Sequence, residues 1–106
     1  MAKYLLQASY TADGAKGLVK DGGSKRRAAA KTLIESLGGK VECFYFAFGK
    51  TDVLAIADFP DSVSAAAASL TLSASGAVTG QVTVLLTPEE LDQATQKSGK
   101  YTPPGK

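Results

Sequence analysis

The chain has 106 residues, with 12 lysines and arginines against 10 acidic residues and no histidine. The length fits one domain, and 44% hydrophobic with 21% charged residues is typical of a globular protein rather than a disordered or fibrous one. The lack of histidine excludes Ser-His-Asp triads, imidazole general bases and histidine-containing zinc sites. The net charge of +2 is too small to indicate nucleic acid binding.

The only cysteine, Cys43, has no partner for an internal disulfide, as is typical of a reducing compartment. The first ten residues lack the basic and then apolar order of a secretory signal. The longest uncharged stretch, residues 62–88, is interrupted by glycines and is not typical of a membrane span. We therefore expect a cytoplasmic protein that does not enter the membrane.

The first 40 residues predict a strand followed by helical structure. Residues 3–10 are typical of a strand, and Thr11 or Asp13 can cap the helix that follows. Ser24 opens a second helical stretch with a buried stripe, and the glycines at 38–39 end it. The glycine pair at 22–23 leaves open whether this is one kinked helix or two short ones.

The middle of the chain predicts a β-hairpin. Residues 41–48 (VECFYFAF) give the strongest strand signal, residues 49–52 form a short turn, and residues 53–59 return. Pro60 ends the second strand because it has no backbone donor.

The last third predicts a helix, a strand and another helix. Asp61 or Ser62 caps an alanine-rich helix that continues to Ser73, and residues 78–86 form a strand. Thr87 then caps a short helix that ends near residue 97.

These elements predict an α+β protein with the ferredoxin-like order β-α-β-β-α-β. We expect an antiparallel four-stranded sheet with the helices on one face and a short carboxyl-terminal helix. Residues 1–97 then form a single domain, and residues 98–106 a flexible basic tail.

The sheet face without helices is predicted to be apolar. Strand alternation places Phe44, Phe46 and Phe48 on one side of the first hairpin strand. We assign them to the same bare sheet face as Leu54 and Ile56 of the returning strand. Soluble monomers rarely expose several hundred Å² of such surface. Covering about 500 Å² at roughly 25 cal/mol per Å² would favour association by about 12 kcal/mol before entropic costs. We therefore expect a homodimer or larger oligomer formed through these five residues.

Motifs along nearly the whole chain, from about residue 3 to residue 87, carry a family resemblance. They are Tyr10-Thr11 with Gly14, Lys25-Arg26-Arg27, Leu37-Gly38-Gly39-Lys40-Val41, Phe44-Tyr45-Phe46, Phe48-Gly49, Asp52-Val53, Pro60-Asp61, and Gly76 with Val78. In this order they resemble the GYD-domain family, small proteins of the dimeric α/β-barrel type. The resemblance implies that fold and self-association.

The sequence departs from the family pattern at three positions. Thr51 stands where the family's Gly-Tyr-Asp motif has tyrosine, and Thr79 and Gln81 stand where an arginine and a glutamate are typical. Any chemistry that those groups perform in relatives is therefore expected to be lost. The wider superfamily includes cofactor-independent monooxygenases, lactone isomerases and binding proteins, and a shared fold does not decide among them.

One cluster of charges is dense enough to suggest a site. Lys25, Arg26 and Arg27 can form an anion site together with backbone N–H groups after the glycine pair. In a continuous helix they would instead be solvated residues, with Glu35 pairing with Lys31 or Arg27.

Asp52 is the candidate general base, if the fold closes an apolar pocket over it. Its other interpretation is a hairpin residue that accepts backbone N–H bonds. Tyr10 and Tyr45 are the candidate hydroxyl donors, and Cys43 is interpreted as an inert thiol. Polar residues of the first and last strands can line a pocket or cross an interface: Gln7, Ser9, Thr79, Gln81 and Thr83.

Three functions remain open. The first is a homo-oligomeric protein that binds a small molecule or serves as an assembly unit. The second is a cofactor-independent enzyme with Asp52 as base, Tyr10 and Tyr45 as donors, and Arg26 or Arg27 stabilising an anionic intermediate. RNA binding by the phenylalanines is a distant third, because the strand lacks interleaved basic residues. Neither a metal ion nor a cofactor is expected.

Overall fold

The computed structural model describes residues 2–106. Its elements in chain order are β1 (Ala2–Tyr10), α1 (Ala12–Asp21), α2 (Gly23–Ser36), β2 (Lys40–Phe46), β3 (Val53–Phe59), α3 (Ser62–Ala74), β4 (Val78–Leu85) and α4 (Pro88–Thr95). The predicted α+β class and β-α-β-β-α-β order are confirmed, with α1 and α2 together in the first helical position.

The four strands form one antiparallel sheet in the order β2-β3-β1-β4. Burial alternates along β3, where Val53, Ala55, Ala57 and Phe59 are buried and the residues between them are half-buried. This alternation defines a covered face, on which the helices pack, and a bare face on the other side.

The helical segment after β1 is two helices rather than one. Gly22 has a φ of 83°, a left-handed conformation that glycine adopts readily, and it separates α1 from α2. The Thr11 side chain caps α1 by accepting the N–H of Gly14 at 3.1 Å. Helix α2 begins at Gly23, one residue before the predicted start, and no side chain caps it.

Gly14 is required where α1 passes close to the start of β4. A β-carbon at this position would collide with the carbonyl oxygen of Ala77. That oxygen accepts the N–H of Thr11 at 2.9 Å, which ties the entry of α1 to β4. A larger residue would therefore force the two segments apart.

One end of the covered face, which we call the closed end, holds the packed core. Its buried members are Tyr4, Ile34, Ala57, Phe59, Ala65 and Ala68. Phe59 is fully buried, and its ring meets that of Tyr4 edge to face with centroids 5.7 Å apart. The Tyr4 hydroxyl and the Ser62 hydroxyl are hydrogen-bonded at 3.0 Å, which joins β1 to the start of α3.

The predicted grouping of the hairpin residues is wrong. Phe44 lies opposite Ala55 and Phe46 lies opposite Val53, and directly opposed residues in an antiparallel pair share a face. Both rings therefore lie on the covered face, 5.3 Å apart edge to face. Alternation within a strand does not decide which face it shares with its neighbour, because the register of the pairing does.

The remaining predicted interface residues also separate. Strand β2 ends at Phe46, two residues before its predicted end. Phe48 therefore lies in the loop, where its side chain is completely exposed. Leu54 and Ile56 do lie on the bare face, opposite Tyr45 and Cys43. A register shift between Val41 and Cys43 also moves Val41 onto the covered face, opposite Ala57.

The carboxyl-terminal helix α4 has no buried residue, and residues 86–106 are all exposed. Its amino terminus carries a capping box, in which Thr87 accepts the Glu90 N–H and Glu90 accepts the Thr87 N–H. The division at residue 97 into a domain and a flexible tail stays a prediction. Within residues 2–106, none of the helices has both the length and the apolar character needed to cross a membrane.

Candidate functional site at the open end of the covered face

The other end of the covered face, which we call the open end, lies where β1 and β2 finish and where β3 and β4 begin. The first turns of α2 and the last turn of α3 lie over it. Two neighbouring cavities occupy this region, and Tyr10 lines both of them.

The Asp52 cavity has a volume of about 430 Å³. Its lining comes from the ends of β1 and β2, the hairpin loop and both helices of the first pair: Tyr10, Ala15, Leu18, Gly23, Phe46, Ala47, Phe48 and Asp52. Asp52 is its only charged lining residue, so an apolar wall surrounds one carboxylate.

The Arg26 cavity has a volume of about 280 Å³ between the sheet and helices α2 and α3. Its lining is Leu6, Ala8, Tyr10, Arg26, Ala29, Ala30, Leu33, Ile34, Phe44, Val53, Thr71, Leu72, Ser75 and Val78. Ala8, Ala29 and Ala30 explain the space, because each places a methyl group where a larger side chain would fill it.

Asp52 joins the open ends of β1 and β3. Its Oδ2 atom accepts the N–H of Tyr10 at 2.8 Å, and its own N–H donates to the carbonyl of Ala8 at 2.9 Å. Its carbonyl accepts the N–H of Ala47 at 2.8 Å, which closes the hairpin loop. Asp52 thus has the backbone-binding role that was its second interpretation, although the N–H that its carboxylate accepts belongs to β1 rather than to the turn.

The three candidate catalytic residues do not come together. Tyr10 and Asp52 line the same cavity. Tyr45 lies on the bare face with 65% of its surface exposed, opposite Leu54, and lines neither cavity. The catalytic role of these residues stays a prediction. Only Tyr10 and Asp52 are close enough to each other to act in one site.

The basic cluster is also divided. Arg26 lines the Arg26 cavity, whereas Arg27 lines a shallow depression beside Phe44 and Phe46. Lys25 is exposed, and its Nζ lies 3.7 Å from Asp21 Oδ1. The break at Gly22 places all three cations at the start of α2, so the predicted continuous helix is wrong, although Lys25 and Arg27 are exposed to solvent as that interpretation had them.

Asp21 is the residue that sequence analysis missed at this site. Its Oδ2 lies 3.7 Å from Arg26 Nη1, so the carboxylate ending α1 meets the cations that open α2. The available signal was an acid directly before a glycine pair and, after one serine, a run of three basic residues. A helix break at the glycine brings the two groups together.

The bare face is charged at one end and apolar in its centre. Lys3 donates to Glu42 at 2.7 Å and to Asp58 at 3.2 Å, and these bonds, that of Glu42 first, raise the pKa of Lys3 above its ordinary value. The central apolar residues are Leu5, Cys43, Tyr45, Leu54 and Ile56.

The three positions that depart from the family pattern lie close together on the bare face. Thr51, Thr79 and Gln81 line one shallow depression of about 250 Å³, together with Gln7 and Ser9. The side-chain amide of Gln81 donates to Gln7 Oε1 at 3.2 Å. The predicted polar patch of β1 and β4 is therefore present as a neighbourhood of neutral hydrogen-bonding groups.

Within residues 2–106, no group of three or more acidic or cysteine side chains is placed to hold a metal ion. Comparison with curated proteins and with solved structures found no match. A family model described as the GYD domain matches residues 4–95. That range includes every strand and helix of the fold apart from the first two residues of β1, and the chain belongs to the GYD-domain family.

Proposed function

We propose that this protein binds a small, mainly apolar molecule in the Arg26 cavity. The observation that carries the proposal is the cavity itself, a space of about 280 Å³ on the face of the sheet where the core would otherwise continue. Protein interiors are close-packed, and voids larger than a water molecule are few. Ligand sites have this composition, an apolar wall with a small number of polar groups.

The lining fits an apolar ligand. Leu33, Phe44 and Leu72 supply hydrocarbon and aromatic surface from α2, β2 and α3. The polar groups of Tyr10 and Ser75 stand among them and can orient a bound molecule. The walls come from the sheet and from both helices above it, so a ligand would also join α2 to α3 and stabilise the folded state.

A cavity-filling substitution tests the proposal. The fluorescent two-ring amide 2-naphthamide serves as a neutral probe, titrated into the wild-type protein and two variants. Ala30→Phe places a ring in the cavity, whereas Ala28→Phe places the same ring at an exposed position of the same helix. We expect binding to the wild type and to Ala28→Phe, and its loss in Ala30→Phe. No binding to the wild type, or equal binding to both variants, would contradict the proposal.

We also propose that the protein self-associates through the bare face, as its second property. Tyr45 is 65% exposed beside the half-buried Leu5, Leu54 and Ile56. In a two-fold dimer these four residues of one subunit would contact the same four residues of the other subunit. Because the observed register puts Phe44 and Phe46 on the covered face, the proposed interface consists of these four residues instead of the predicted phenylalanines. Apolar burial across the sheet then supplies the association free energy.

Light scattering after size exclusion tests the association. Tyr45→Asp puts a charge on the bare face, and Phe48→Asp puts the same charge outside it, at a side chain that is completely exposed. We expect a dimer or larger assembly for the wild type and for Phe48→Asp, and a monomer for Tyr45→Asp. A monomeric wild type at micromolar concentration would contradict the proposed self-association.

A further inference from the structure

We propose that the Arg26 cavity is selective for an organic anion, a carboxylate on an aromatic or branched hydrocarbon body, and that Asp21 is its internal competitor. The inference rests on the proposed ligand binding and names the ligand's chemical class. Three observations carry it: the position of the guanidinium, the length of its contact with Asp21, and the absence of acids from the cavity wall.

Arg26 is the only charged residue in the lining of its cavity. Its side chain lines the cavity and is also 35% exposed, so it contacts both an apolar space and water. A cation placed there favours a ligand with one anionic end and one apolar end, because the anionic end can pair with Arg26 while the apolar end contacts the hydrocarbon lining. A neutral apolar ligand leaves the charge without a matching group.

Within the described residues, the contact between Arg26 and Asp21 leaves the guanidinium without a hydrogen-bonded protein partner. The distance of 3.7 Å from Nη1 to Oδ2 is longer than a hydrogen bond, and Lys25 shares the same carboxylate at 3.7 Å. Within residues 2–106 the Arg26 side chain donates no hydrogen bond, so its donors are available. A ligand carboxylate can accept two of them in the planar, bidentate arrangement that suits arginine.

The local helix termini favour the same exchange. Asp21 is the last residue of α1 and Arg26 lies at the start of α2, so each charge is at the helix end that opposes it. Helix α2 has neither a side-chain cap nor an acid in its first turn. A carboxylate bound at Arg26 would supply negative charge at this positive helix end.

Two probes of nearly equal size test the ligand class. 2-Naphthoate carries the carboxylate, and 2-naphthamide replaces it with a neutral amide. Because the carboxylate adds the attraction of opposite charges to the hydrogen bonds that Arg26 can donate to either probe, we expect the wild type to bind naphthoate about tenfold more tightly. Added salt should weaken naphthoate binding and leave naphthamide binding unchanged.

Three variants assign the preference to its residues. Arg26→Gln should reduce naphthoate affinity about tenfold and leave naphthamide affinity within about twofold. Arg27→Gln, the same change at a residue outside the cavity lining, should retain the preference. Asp21→Asn should increase naphthoate affinity, because it removes the competing carboxylate while keeping the side chain's size.

The outcomes separate this inference from the proposed function. If both probes bind wild type equally and Arg26→Gln changes neither affinity, the anion preference is wrong and the cavity remains a binding site. If Arg26→Gln weakens both probes to the same extent, the side chain acts by packing, and the inference is overturned. If neither probe binds, or both bind Ala30→Phe as well as wild type, the proposed function fails together with it.

Discussion

The closed end and the open end of the covered face are built from the same four strands and from opposite ends of α2 and α3, yet only one of them is packed. At the closed end, large rings from β1 and β3 share one buried cluster with alanines of α3, as Phe59 and Ala68 do, and both of these residues are fully buried. At the open end, alanines of α2 face an alanine of β1 across a cavity.

The difference shows that packing is uneven within one small domain. Close packing supplies stability in proportion to the apolar surface it removes from water, so the closed end holds the fold together. The open end gives up that contribution and keeps a space with one cation beside it. The packed core and the proposed binding cavity therefore lie at different ends of the same helices, so that substitutions can affect the stability and the proposed binding separately.

The largest expected effect comes from removing a phenylalanine at each end. Phe59→Ala should destabilise the protein by about 3–5 kcal/mol, because a fully buried ring leaves a cavity that the surrounding core cannot fill. Phe46→Ala should cost less than half as much, since that ring already borders open space and keeps part of its surface in water. Urea unfolding measures both; equal losses would show that the two ends are packed alike.

The second effect concerns how the open end is held without close packing. Asp52→Ala removes the bond from the Tyr10 N–H to Oδ2 and leaves a donor of β1 unpaired, which should cost about 1.5–3 kcal/mol. Asp52→Asn keeps an acceptor in the same place and should cost less. Hydrogen exchange at Tyr10 should accelerate in Asp52→Ala, whereas the closed end should keep its protection. Wild-type stability in both variants would contradict this role of Asp52.

Local chemistry made much of the fold predictable from sequence. Thr11, Asp61 and Thr87 were each named as possible helix caps, and each accepts a backbone N–H three residues ahead. These signals work because donor and acceptor lie within one turn of the chain. The strand β3 was predicted with its observed bounds for a similar reason, between a turn and Pro60.

The site was less predictable because it depends on contacts between distant segments. The side of the sheet on which Phe44 lies is decided by its pairing with Ala55, and strand alternation alone could not supply that register. The cavity is lined by Ala8 of β1 and Ala30 of α2, and an alanine in a helix gives no sign of what lies opposite it in the fold. The separation of Tyr45 from Asp52 follows from the same register.

The smallest effect is a dependence of stability on pH that originates at the closed end, where Asp61 caps α3. Its Oδ1 accepts the Ser64 N–H at 2.7 Å, and that bond lowers the pKa of Asp61 below its ordinary value of 3.8. A carboxyl whose pKa is lower in the folded state stabilises the fold above the unfolded pKa and loses that contribution as the pH falls through the folded pKa. Asp61→Asn caps the helix comparably but cannot be protonated in this range. Thermal melts from pH 6 downward should therefore show a smaller loss of melting temperature below pH 3.8 in Asp61→Asn than in wild type. Parallel acid profiles for the two proteins would mean that the Asp61 cap contributes nothing to acid sensitivity.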